Sequence, residues 1–223
     1  MPGTGLPGLD GWNGDPLWGR FYDWSVEHPE VGALLWKAGN GSDLSRLYDA
    51  AAEIGRQPAG SSVLDVPCGG GVALRGLRPG QDVRYVAADI SPVMLDRTAT
   101  AARRRGLTDQ VECVAADVGQ LPFADEEFDL VVSFTGLHCF PDPHKAVLEM
   151  GRVLRSGGVL TGSALLNDTG ARYLPWRQVG RMAGLIGPGA TEAQVRDWLD
   201  EAGFEFVSLV LSGTVGYFRG TRR

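Results

Sequence analysis

Apolar positions along this chain fall into two alternating rhythms. Short, mostly apolar runs occupy residues 62–66, 82–88, 111–115, 128–134 and 159–166, and each reads as a strand. The run at 128–134 is almost wholly apolar, as a strand covered on both faces should be. Between the runs the spacing turns helical. Ala146, Val147, Met150, Val153 and Leu154 recur at i, i+1, i+4, i+7 and i+8, one face of an α-helix. That helix is capped by Asp142-Pro143 and closed by Ser156-Gly157-Gly158, so strand five is expected from Val159 onward. Ser91-Pro92 offers a capping hydroxyl and a proline at the first helical position, for a helix running to Gly106. Thr191 and Gln194 form a capping box for a helix ending at Gly203. Two last strands, 204–211 and 214–219, meet at Ser212-Gly213 in a hairpin-like junction. Upstream, residues 30–56 hold Val31, Leu34, Leu35, Leu44, Leu47 and Tyr48 around Gly39-Asn40-Gly41, which fits two helices, the second capped by Ser42 or Asp43. The fold class is therefore α/β: a Rossmann-like, doubly wound seven-stranded sheet, mostly parallel with an antiparallel C-terminal strand, helices on both faces. Residues 1–58 read as an N-terminal arm and helical lid, and 59–223 as the main domain, with a capping insertion at about 167–189.

Nine residues, Val63-Leu64-Asp65-Val66-Pro67-Cys68-Gly69-Gly70-Gly71, interrupt this rhythm with chemistry. An apolar strand carrying an acid runs straight into three glycines, and Val72-Ala73-Leu74-Arg75 can open a helix. Strand, glycine turn and helix let a ligand approach the backbone at a strand's carboxyl end. The dinucleotide fingerprint G-x-G-x-x-G fails here, because Leu74 stands third after Gly69 and Gly71, and Val72 stands second after Gly70. The phosphate loop G-x-x-x-x-G-K-[ST] fails too, for no Lys-Ser or Lys-Thr follows. A nicotinamide oxidoreductase on the same sheet is disfavoured on that spacing.

What remains resembles the first motif of the class I S-adenosylmethionine (SAM)-dependent methyltransferases, commonly D-x-G-x-G-x-G, with Pro67 in place of the first glycine. The likeness extends over roughly residues 60–220. The stretch Gly136-Leu137-His138-Cys139-Phe140-Pro141-Asp142, then Glu149, Val153-Leu154-Arg155 and Gly157-Gly158, is similar to the small UbiE-like group, with Ser156 where proline is usual. The resemblance implies SAM as cofactor, S-adenosylhomocysteine (SAH) as product, and a small, partly apolar methyl acceptor. It implies a cofactor site of Asp65, Pro67, Cys68, Gly69 and Gly70 at the loop, and Asp89 on the ribose hydroxyls. Ile90 and Met94 then wall the adenine, Asp117 and Val118 meet its edge, and Phe134 and Thr135 face the methionine portion.

Each of these positions also has a plainer reading. Asp89 can cap a helix, Asp117 can be a turn aspartate before Gly119, and Asp65 can be a buried structural acid that holds the loop. Cys68 fits a tight turn better than it fits a nucleophile. His138 is the titratable side chain at the mouth of the sheet, and two roles stay open for it: general base, or orienting the loop. Residues 18–24, with Trp18, Phe21 and Tyr22, form either a cover for the sheet edge or a lid over the ligand. The insertion, with Arg172 and Trp176, is the second segment able to wall an acceptor site. No metal is expected, since acid pairs with metal-site spacing are absent after strand four. A SAM-binding interaction protein without activity is the alternative from another class.

Composition narrows the rest. A length of 223 residues suits one sizeable domain, and a net charge of −6 argues against a nucleic-acid partner. Arg103-Arg104-Arg105 reads as a solvated helix end. No run approaches the roughly 18 apolar residues of a membrane span. Residues 1–5 lack the basic and apolar regions of a signal peptide, so a cytoplasmic location is expected. Three cysteines without C-x-x-C spacing make neither a disulfide framework nor a zinc site.

Overall fold

A computed structural model describes residues 24–170, 174–182, 184 and 186–223, with the side chains of 175–177 left aside. Seven strands form one sheet in the order β3-β2-β1-β4-β5-β7-β6. They are β1 (Ser61–Asp65), β2 (Val83–Asp89), β3 (Val111–Ala115), β4 (Phe128–Phe134), β5 (Leu154–Leu165), β6 (Phe204–Ser212) and β7 (Val215–Arg222). The first five run parallel, and β7 lies antiparallel to both β5 and β6. The helices among the described residues include α1 (Pro29–Asn40), α2 (Ser45–Ala51), α3 (Pro92–Arg104), α4 (Pro143–Val153), α5 (Leu174–Met182) and α6 (Glu192–Glu201). They cover both faces, as the sequence pattern predicts.

The alternation of side chains along each strand sends apolar residues to two cores. On one face Leu64, Val86, Val131 and Leu160 pack with Met150 of α4 and Leu199 of α6. On the other, Val63, Tyr85, Leu130 and Val132 pack with Trp36, Leu47 and Ala102 from α1, α2 and α3. All five residues of the stripe named above are fully buried, four on α4 and Leu154 as the first residue of β5. Among the described residues, no helix is long and apolar enough to cross a membrane.

The local chemistry departs from the sequence reading at four places. The segment after the glycine loop is a five-residue 3₁₀ helix, Val72–Gly76, and not an α-helix. Gly76 there lies against the Ala51 carbonyl, and Pro79-Gly80 soon follows, leaving no room for further turns. Strand β5 begins at Leu154, five residues before Val159, because Leu154 pairs with Phe128 ahead of a register shift and Gly157 takes φ +78°. Ser91 stands at the N-cap of α3, but its side chain makes no cap bond. The Asp89 carboxylate accepts the Ser91 N–H instead, at 2.9 Å. For α2 the N-cap is Leu44, while Asp43 accepts the Ser45 N–H at 2.9 Å and Ser42 is buried against Tyr217. Asp142 and the Thr191–Gln194 box cap their helices as expected.

Candidate active site

The carboxyl ends of the parallel strands form one line of loops, the usual ligand position in an open α/β sheet. The loop after β1 turns through Gly69 at φ +51° and Gly71 at φ +84°. At Gly71 the missing Cβ leaves room for Leu74, Ala101 and Thr98, so that glycine closes the loop onto α3. At Gly69 no described residue lies within 4 Å of where a Cβ would sit, so among the described residues its face stays open. Pro67, joined to Val66 by a cis peptide bond, lays its ring against Gly136 of the loop after β4. That is a second position where a side chain has no space.

Asp89, at the end of β2, reaches across to this loop. Its Oδ2 accepts the Gly69 N–H at 3.0 Å while Oδ1 holds Ser91. Burial pushes its carboxyl upward, against the lowering effect of the Ser91, Gly69 and Ile90 amides. A carboxylate offers about four acceptor positions, so those bonds do not exhaust it. Next to it, Ile90 is 66% exposed, a large apolar side chain open beside a buried acid. Met94 is only 3% exposed and contributes packing below that surface. The Asp89 carbonyl accepts Ala116 N–H at 3.0 Å, which brings the end of β3 alongside. There Asp117 is exposed and accepts the Gly119 N–H at 2.8 Å, a turn contact, while Val118 is buried.

Asp65 sits deeper, 1% exposed. The hydrogen bond its carboxyl accepts comes from the Tyr85 hydroxyl at 2.8 Å and not from the glycine loop, which corrects the expected contact. Burial raises its pKa to about 8; the Tyr85 bond acts against this and the charge of Asp89 adds to it. Burial likewise pushes the Cys68 thiol well above its usual range, which suits a packing residue and not a nucleophile. Thr98 of α3 has no place in the sequence reading, yet its hydroxyl donates to the Gly69 carbonyl at 2.7 Å and faces the Cys68 sulfur at 3.4 Å. A threonine within a polar helix carries no sequence signal for that role.

Past β4, Phe134 is buried and Thr135 takes φ +53°, with its N–H donating to the Ser163 carbonyl at 2.8 Å. His138 follows, 8% exposed. Its Nδ1 accepts the Leu165 N–H at 3.3 Å, and its carbonyl accepts the Gly187 N–H at 2.8 Å. The insertion is thus pinned to the His138 turn at the backbone. Trp18, Phe21, Tyr22 and Arg172 lie outside the described residues, as does the side chain of Trp176. A groove of about 440 Å³ lined by Gln81, Arg84, Gln110 and Glu112 lies among residues at the amino ends of β2 and β3, away from this line.

The family matched by residues 64–161 is the methyltransferase domain. Residues 64–161 carry a methyltransferase domain of the class I SAM-dependent kind. The 27-O-demethylrifamycin SV methyltransferase of Amycolatopsis mediterranei is 33% identical over 149 residues, 66% of this chain and 52% of its own length. A solved structure described as a possible exported protein from Bordetella parapertussis superposes with TM-score 0.73 at 22% identity, over 92% of this chain and 79% of that one. Geranyl diphosphate C-methyltransferase from Streptomyces coelicolor A3(2), solved with SAH, gives TM-score 0.65 at 15% identity over 81% and 78%. At these identities the two structures support the fold alone. The chain spans roughly a third to a half of the curated relatives it matches, between 36% and 52% in three of them. The methyltransferase domain has a loop that fits its cofactor: an open glycine face, an acid with acceptor capacity beside it, and an exposed aliphatic wall.

Proposed function

We propose that the chain is a SAM-dependent methyltransferase acting on a small, partly apolar molecule. The observation that carries this reading is the Asp89 carboxylate held against the open face of Gly69, with Ile90 exposed next to it. In this reading Asp89 accepts from the ribose hydroxyls and Ile90 covers the adenine. Asp117 and Val118 meet the adenine edge, and Gly69, Gly70 and Thr135 border the methionine portion. The cofactor supplies a methyl group on a cationic sulfur. The protein's own task is then to orient the acceptor and exclude water, and proximity of this kind is worth roughly 7–11 kcal/mol.

We assign His138 to positioning and not to proton removal. Its Nδ1 already accepts a backbone N–H from Leu165, so in the neutral ring the proton sits on Nε2. A ring so arranged presents a donor on its other nitrogen. The acceptor arrives as a phenolate or a neutral amine. Apolar residues on α5, with Leu174, Val179 and Met182 exposed, suit an acceptor with apolar surface. The names of relatives acting on a rifamycin and on phthiotriol or phenolphthiotriol dimycocerosates point the same way. The motifs around His138 and Gly157-Gly158 are our ground for placing the chain near the UbiE-like group.

The test is direct. SAH should raise the melting temperature by mass-action linkage, and NAD should not. Labelled SAM, incubated with a panel of phenols, amines and quinols, should yield one methylated product identified by mass. Stabilisation by NAD and none by SAH would overturn this reading.

A further inference from the structure

One side chain outside the cofactor loop joins it to the N-terminal segment. Arg75 lies on the 3₁₀ helix that leaves the glycine loop, and its Nη1–H donates to the Val26 carbonyl at 3.1 Å. The Tyr48 hydroxyl donates to that same carbonyl at 2.7 Å. The Arg75 guanidinium also stacks 3.8 Å from the centre of the Tyr48 ring. One backbone oxygen therefore gathers two donors, and the donors are bound to each other by a cation–π contact.

The surroundings make this junction firm on both sides. Val26 is fully buried in the same apolar cluster as Cys68, Val72 and Ala73. Its neighbour Glu27 pairs with Arg105, just past α3, at 2.6 Å. On the loop side, Gly71 is closed against Leu74, Thr98 and Ala101, where the loop runs directly into the 3₁₀ helix. Arg75 stands four residues past Gly71 and bonds Val26, so a continuous path of contacts joins the loop to Val26.

We propose that Arg75 is a positioning residue that couples the cofactor loop to the N-terminal segment at residues 24–28, so that occupancy of the loop is felt there. The proposal rests on the SAM reading above. Tyr48 and the apolar packing still hold Val26 without Arg75, so its removal should loosen the coupling and leave the fold intact.

Hydrogen exchange read by mass spectrometry tests this on the full chain. In the wild type, SAH should slow exchange both at 68–76 and at 24–28. In Arg75→Met, SAH should still protect 68–76, while its protection of 24–28 drops at least fivefold. Arg75→Lys keeps the charge but not the planar fork, and should fall between the two. Should Arg75→Met lose its cooperative thermal transition, Arg75→Lys carries the comparison, with Tyr48→Phe as the variant lacking the other donor. Equal SAH protection of 24–28 in wild type and Arg75 variants overturns the coupling alone, as does protection confined to 68–76 in the wild type. Absence of SAH binding by calorimetry in the wild type overturns the cofactor reading and the coupling with it.

Discussion

At Asp65 and Asp89 the chain keeps two acids in one buried neighbourhood, and they are held differently. Asp65 has a hydroxyl as its hydrogen-bond donor, and its carboxyl titrates at about 8. In the unfolded chain an aspartate releases its proton near 3.8. Between those values the folded state holds a proton that the unfolded state lacks, so this group makes stability fall as pH rises from about 4 to about 8, and adds no slope beyond. Asp65→Asn keeps an acceptor for Tyr85 and removes the titration. Urea denaturation from pH 5 to 9 should show a shallower decline for the variant. At pH 8.5 the variant should exceed the wild type by at least about 1 kcal/mol, a modest part of what so large a rise in pKa implies. Parallel curves would show that Asp65 does not titrate there. Asp89 holds two amides of its own fold, so Asp89→Ala should weaken SAH binding by about 1.5–3 kcal/mol and also lower stability by about 1–2 kcal/mol. Calorimetry and thermal melts read the two effects separately. His138→Ala should lower turnover by roughly tenfold or less and leave the pH profile's shape unchanged; a loss of 10²–10⁴-fold with a lost rising limb would mark a general base. The position of Asp89 at the end of β2 is legible from sequence, because an acid closes the apolar run there. The Tyr85 and Thr98 contacts are not, since their partners lie 20 and 29 residues away and meet only through strand pairing and helix packing.

Elements are legible where their signals are local. The α4 stripe, the Asp142 cap and the Thr191–Gln194 box each depend on residues within one or two turns. Thr191→Ala should therefore cost about 1 kcal/mol in chemical denaturation, the usual value of a lost N-cap. Boundaries set by a neighbour escape such a reading. The early start of β5 depends on Phe128 across the sheet, and no window around Leu154 contains that fact. The Ser91 cap fails for a related reason. A carboxylate two residues earlier bonds the Ser91 N–H, and that same carboxylate also reaches Gly69. The helix opened at Val72 is short and of 3₁₀ type, and its breakers, Gly76 and Pro79-Gly80, stand in the sequence.

At the scale of the molecule, the class, the number of strands and the antiparallel C-terminal strand all follow from alternation and turn signals. The position of that strand does not. β7 lies between β5 and β6, so among the described residues β6 has no other neighbour in the sheet. Removing residues 215–223 should therefore cost far more than one strand. The truncated chain should lose its cooperative thermal transition, whereas the full chain keeps it; a truncated form that melts cooperatively would refute this.

The same placement bears on how the protein is made. β7 comes after both β5 and β6 in chain order yet lies between them, so the strand that joins them is made after both. While a ribosome still holds that strand, β5 keeps an open edge and β6 has nothing to pair with. Domains generally fold as units during synthesis, yet here the half carrying the glycine loop can form well before the other half closes. Until β7 emerges, growing chains would thus display a bare strand edge, the state in which they are most exposed to capture by one another or by a chaperone.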